Sequence, residues 1–304
     1  MSAAIVLVAL VPVAIAGLLA GPIAGQALYI GIVLMSSVVR SLEWREQLLA
    51  AVFAGLVSAL GAWAGPNLWA LLPASVLVCA GQRWFTVRSA RAVAVLPATL
   101  VFHALFAPAE SSLVIGLSTV VGALFLVAVA AAARIRPAPQ PTDGFSASVH
   151  SVLLGVGCCL LLVLGEWWGF PRANWALLTF CLMFFPADRS WKGAARYVAA
   201  TATGAAAAAC LRYVGPTWLD LPLILASAVA TVALVLASRE TLSVATLTAT
   251  VVLLGTVVSG DSLTSLGLQR TLLSFLAMLV AVALMMVGRH VKRALGPPAS
   301  ATAE

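Results

Sequence analysis

The chain has 304 residues, of which 62% are hydrophobic and only 9% charged, with a formal net charge of +7 and a mean hydropathy of +1.09. A soluble globular chain carries about a quarter charged residues, so these values exclude a water-soluble enzyme, along with a disordered, collagenous or disulfide-built protein. They predict an all-α, polytopic membrane protein, in which an Arg/Lys excess marks basic loops rather than a nucleic-acid partner.

In chain order, long apolar runs between charged or Gly/Pro punctuation predict about twelve helices. They fall near 3–24, 26–39, 47–64, 67–81, 91–107 and 111–133, then 149–165, 173–187, 195–213, 218–237, 241–259 and 267–288. The first run lacks a basic leader and exceeds a signal peptide's apolar stretch, so it is expected to be a retained helix. The runs starting at 26, 67 and 173 are short for a span and fit tilted or re-entrant helices. All five cysteines (Cys79, Cys158, Cys159, Cys181 and Cys210) lie inside apolar runs, with no C-x-x-C pair or His/Cys cluster. They are expected to be packing residues, with neither a metal nor a cofactor.

Charge tests the count. With a cytoplasmic N-terminus, alternate connections place 14 of the 17 Lys and Arg inside, leaving Arg172, Arg212 and Arg270 outside. A miscounted helix would invert every later loop, so the bias favours twelve spans with both termini cytoplasmic. The location expected for such a helical protein is a bacterial inner membrane. The Pro-rich stretch 135–147 divides the chain into a first six-helix unit (1–134), a linker, a second six-helix unit (148–290) and a tail (291–304). Ala27–Arg45 aligns with Asn174–Lys192 at an offset of 147, and Gly65-Pro66 with Gly215-Pro216 at 150. Six spans per unit make this a parallel repeat, an architecture that places transport sites between the units.

Ionisable residues within spans are expensive and are functional candidates. His103, six residues after Pro97, has an ordinary pKa near 6.5 suited to a proton relay; the plainer reading is a neutral histidine bonded to a backbone carbonyl. Glu110 and Glu166, the latter before Trp167-Trp168, stand at the outer surface as proton-exchange candidates or as solvated acids in an aromatic belt. Arg212 and Arg270 lie near outer span ends, where snorkelling to headgroups is the plainer reading. Arg196 opens a span from the inside and is followed by Ala199, Ala200, Gly204 and Ala205–Ala209, small residues that allow close helix approach. No nucleotide loop, hydrolase elbow or zinc-protease motif is present. The chain is therefore expected to be neither an enzyme nor an ATP-driven pump.

The stretch Asn174-Trp175-Ala176-Leu177-Leu178-Thr179, with Phe185-Pro186-Ala187-Asp188-Arg189 and then Lys192, Arg196, Thr201 and Gly204, resembles the repeated membrane motif of the fusaric-acid-resistance-like (FUSC) transporters of the aromatic acid exporter superfamily. Ala200 stands where that pattern favours Gly, and the first unit keeps only an echo around Leu28–Arg45. Larger members carry a sizeable cytoplasmic region where this chain has the short linker. The resemblance implies a secondary transporter exporting aromatic carboxylates or other small organic anions and drugs. It also implies, in some members, a periplasmic adaptor; self-association is the other partnership considered. Carried onto this sequence, it makes Trp175, Thr179 and Arg196 the substrate-binding candidates and Asp188, Arg189 and Lys192 an inner-gate motif. The alternatives are an organic-anion channel and a non-transporting membrane scaffold or subunit.

Overall fold

The computed structural model describes residues 12–13, 15–89, 95–106, 111–169, 173–184, 191–214, 219–237, 239–259 and 262–295. Every regular element among them is a helix. Following α1 (15–20) are α2 (Pro22–Val38), α3 (Trp44–Ala64), α4 (Leu68–Arg88), α5 (Leu96–Phe106) and α6 (Ser112–Ala132). After the linker come α7 (Gly144–Trp167), α8 (Ala173–Met183), α9 (Trp191–Val214), α10 (Asp220–Leu236), α11 (Glu240–Ser259) and α12 (Leu263–Leu295). Five of these, α3, α4, α6, α7 and α12, are long and apolar enough to cross a membrane.

Helix ends follow local chemistry. Gly65 closes α3 at φ +58°, a conformation only glycine adopts cheaply, and two residues on the Asn67 side chain accepts the Trp69 N–H at 3.0 Å to start α4. Asp143 starts α7 by accepting the Ser146 N–H at 2.7 Å, so α7 begins five residues before the apolar run. The fourth helix runs to Arg88 rather than stopping at 81. Gln82 and Thr86 are buried, while Arg88 pairs with Glu46 at 2.7 Å and lies 3.4 Å from the centre of the Trp84 ring. At the other extreme, α8 ends at Met183, short of 187.

The lateral surface is apolar and its ends are aromatic. Trp44 and Trp63, at opposite ends of α3, are 62% and 69% exposed. Nineteen residues of helix separate them by about 28 Å, close to the ~30 Å hydrocarbon thickness of a bilayer. Trp69, Trp167, Trp168 and Tyr213 are likewise exposed at helix ends. Apolar flanks between aromatic rims are what lipid solvates best; this is a helical membrane protein.

In the first part of the chain α2 and α3 pack on α6, and α3 also packs on α5. Beyond the linker, α8 and α9 pack on α12, and α9 on α11. The two parts meet chiefly where α4 lies along α7 and α5 along α8. Glycines bring the backbones together: a Cβ on Gly122 would run into the Leu28 carbonyl, and one on Gly204 into the Ala245 carbonyl. Without a hydrophobic drive between helices in lipid, such close contact supplies the dispersion attraction that holds them. Cys158 of α7 lies against Cys79 of α4 and Cys181 of α8, all three buried and free.

The linker is a strap across one end of the molecule. The Ala138 N–H donates to the Arg40 carbonyl at 2.8 Å, the Thr142 N–H to Val87 at 3.0 Å, and the Arg83 Nε to Ser148 Oγ at 2.7 Å. Arg40, Arg83, Arg88 and Lys292 share this end with the strap; it is the basic end.

Candidate functional site

Helix α12 buries the stripe Leu266, Gly267, Arg270, Leu273, Ser274, Ala277, Val280 and Ala281, spaced three and four residues apart as one helix face requires. Among these aliphatic and small residues stands one cation. Arg270 is 0% exposed and is the largest fully buried side chain in the described structure. Gly267, one turn earlier, meets Ala205 of α9 with room for no more than a Cβ (3.4 Å). Arg270 is the eighth of the 33 residues of α12 and is enclosed between α8 and α9.

The guanidinium faces α8. Nη1 donates to the Trp175 carbonyl at 2.8 Å, and the guanidinium carbon lies 5.7 Å from the centre of the Trp175 ring, within cation–π range. Tyr197 of α9 is within electrostatic reach. One turn further along both helices, the Thr179 and Ser274 hydroxyls are 3.2 Å apart, both wholly buried. Among the described residues neither Nε nor Nη2 of Arg270 has a hydrogen-bond partner. A buried cation whose Nε–H and Nη2–H edge is unused attracts a carboxylate, because that fork matches two carboxylate oxygens.

The first part of the chain shows how unusual this is. Leu28, 147 residues before Trp175, also turns its carbonyl toward the partner helix, where Gly122 of α6 closes directly against it. In one pair the backbones touch; in the other an arginine side chain fills the gap.

The structure therefore joins two of the expected substrate-binding residues, Trp175 and Thr179, but their cationic companion is Arg270. Arg196 is exposed on α9, as is Lys192. The snorkelling expected of Arg270 does not occur, because α8 and α9 close over it and the Trp175 carbonyl lies within reach. His103 is buried on α5 with its Nε2 unpartnered among the described residues, its ring edge-on to Phe102 at 5.5 Å. Glu166 is exposed beside Trp167 and Trp168. Glu110, Asp188 and Arg189 lie outside the described residues. Sequence reasoning passed over Ser274 and Tyr197; the usable signal was the small-residue stripe of α12, which marks the face on which Arg270 must lie.

Residues 158–284 match the family model described as fusaric acid resistance protein-like. This part of the chain is similar to that family. The FUSC-like segment runs from within α7 to within α12, so it contains Trp175, Thr179, Arg270 and Ser274 together. No curated protein and no solved structure matches the chain significantly.

Proposed function

We propose that the protein is a secondary transporter that exports small organic anions, aromatic carboxylates foremost, without altering them chemically. One observation carries this reading: Arg270, fully buried, with its Nε and Nη2 donors unpartnered among the described residues, beside an indole ring and a hydroxyl pair. A carboxylate on Arg270 would satisfy donors that are costly to leave bare, and the Trp175 ring offers a flat partner for an aromatic body. The similarity of residues 158–284 to the fusaric acid resistance protein-like family is consistent with a transport or efflux role.

The architecture we infer is two parallel six-helix units. Its support is the recurrence of partners: α2 with α6, α3 with α6 and α3 with α5 are echoed by α8 with α12, α9 with α12 and α9 with α11. Each set is closed by a glycine against a carbonyl of the neighbouring helix, Gly61 against Leu100 and Gly204 against Ala245. The bias of Lys and Arg assigns the basic end to the cytoplasm of an inner membrane. His103 is the proton-coupling group of this reading, since it is the buried titratable side chain on α5, which packs along α8.

The test is flux of labelled aromatic carboxylates in proteoliposomes, with and without an imposed pH gradient. Accumulation driven by protons, abolished in R270M and uncoupled in H103A, is the expected result. Downhill, voltage-dependent flux that survives H103A would replace the carrier by a channel. An absence of flux from folded protein would sink the transport reading and favour a subunit of a larger assembly.

A further inference from the structure

We propose that the protein holds a resident halide, chloride, between the free edge of Arg270 and the hydroxyl of Thr201. The register of α9 against α12 brings Thr201 there. Tyr197, Thr201 and Ala205 are spaced four residues apart and so lie along one face of α9; all three are buried. Ala205 meets Gly267 of α12, where an added Cβ would stand 3.4 Å away, and Tyr197 is within electrostatic reach of Arg270. As α12 advances from 267 to 270, its neighbour on α9 recedes from 205 to 197, so the two helices run antiparallel. Thr201, midway along that face, therefore looks onto α12 beside Arg270.

Thr201 is 0% exposed, and its Oγ1 has no hydrogen-bond partner among the described residues. A buried threonine in a helix can donate to the carbonyl four residues earlier, as Thr86, Thr119 and Thr231 do here at 3.1, 2.9 and 2.8 Å. Thr201 makes no such bond, so its hydroxyl hydrogen is available to a ligand. On Arg270, Nη1 is taken by the Trp175 carbonyl, while Nε and Nη2 are unpartnered among the described residues. Nor does any described carboxylate pair with this guanidinium. Three unused donors thus stand together, with no acid to balance the charge.

The surroundings select the ion. It must accept hydrogen bonds, because a guanidinium only donates and the Thr201 hydroxyl is free to do so. It must carry one negative charge, since a divalent oxyanion would exchange one uncompensated buried charge for another. It must be small: Arg270 is sealed, with Ala205 against Gly267 on one side and the Trp175 carbonyl on another. Among small monovalent anions the cost of leaving water falls as the radius grows, which favours chloride over fluoride or hydroxide. The halide shares its guanidinium with the organic anion proposed above. Its displacement by that anion rests on the transport reading; halide binding itself does not.

The experiment measures equilibrium binding of radiolabelled chloride to the intact protein in phosphatidylcholine nanodiscs, in sulfate buffer. A single saturable site per chain is expected, emptied by unlabelled bromide. R270M should abolish it. T201V should weaken it by about tenfold or more, the loss of one charged hydrogen bond, and T201S should retain it. An absence of saturable binding to folded wild-type protein, or wild-type affinity in either R270M or T201V, would overturn the proposal. Equal loss in T201S and T201V would assign Thr201 to packing and overturn it as well. Unlabelled 2-naphthoate separates the two readings. If it displaces chloride, both anions share Arg270; if chloride stays bound in its presence, the halide site stands and the carboxylate reading falls. Labelled 2-naphthoate that binds the wild type but not R270M, where neither takes chloride, would leave the carboxylate reading standing without the halide.

Discussion

Replacing Arg270 by methionine tests the central site through stability as well as activity. The volume is roughly kept and the charge is lost. An arginine in a membrane helix costs up to about 2.5–3.5 kcal/mol on insertion scales, a cost methionine does not share. Against this, the variant loses the 2.8 Å bond to the Trp175 carbonyl, about 1.5–3 kcal/mol for a charged donor. It also loses the contact over the Trp175 ring, about 0.5–1 kcal/mol. These contributions nearly cancel, so ligand-free R270M should be within about 1 kcal/mol of the wild type, a shift of roughly 2–4 °C or less. Ligand response should differ sharply. At a hundred times its dissociation constant an anion stabilises the wild type by about 2.7 kcal/mol and R270M not at all. Unfolding can be followed with a dye that fluoresces on reacting with thiols, since Cys79, Cys158 and Cys181 are buried; C210S removes the exposed thiol that would react early. A ligand-free loss of about 3–5 kcal/mol is the signature of breaking a buried charge pair. That outcome would falsify the view that Arg270 awaits a ligand and would make it a structural tie.

Three further outcomes are expected. Gly122→Val and Gly204→Val should fail to give monodisperse protein in size-exclusion chromatography, since the added atoms meet the Leu28 and Ala245 carbonyls, which belong to backbone and cannot rotate away; normal elution of both would refute the close-contact account. Thr179→Val should cost about 1 kcal/mol by stranding the buried Ser274 hydroxyl, and T179V/S274A should recover part of it; equal stability of all three proteins in the thiol assay would show that the pair contributes nothing. Asp143→Ala should destabilise by about 1 kcal/mol through loss of the α7 cap. Because accepting the Ser146 N–H holds the Asp143 carboxyl below its usual range, the folded pKa is depressed. The cap's stabilisation is then fully present above about pH 4, the unfolded value, and is lost as pH falls through the lower folded value. The gap between wild type and D143A should thus close only in acid, and a gap already closing at pH 6 would contradict the assignment.

Much of the fold can be read from residues alone because a helix in lipid satisfies its own backbone. Length, hydropathy and breakers therefore suffice to place α3, α6 and most of α7, while Asn67 and Asp143 fix the starts of α4 and α7 by chemistry that acts within three residues. The same locality explains the errors. The run near 67–81 looked finished at Gln82 and Arg83, yet α4 continues because Glu46 and Trp84 neutralise and cover Arg88. Trp175 and Thr179 were legible because they stand in a dense motif on one short helix.

What the sequence by itself determined is the solvent, the secondary structure and the set of polar residues the bilayer must accommodate. Only the tertiary structure decided which of them meet. An arginine in an apolar helix carries the same local signature whether it reaches for headgroups or is sealed between neighbours. The difference lies in Gly267 letting α9 close in, and in a carbonyl on α8, 95 residues away in the chain, standing 2.8 Å from its Nη1.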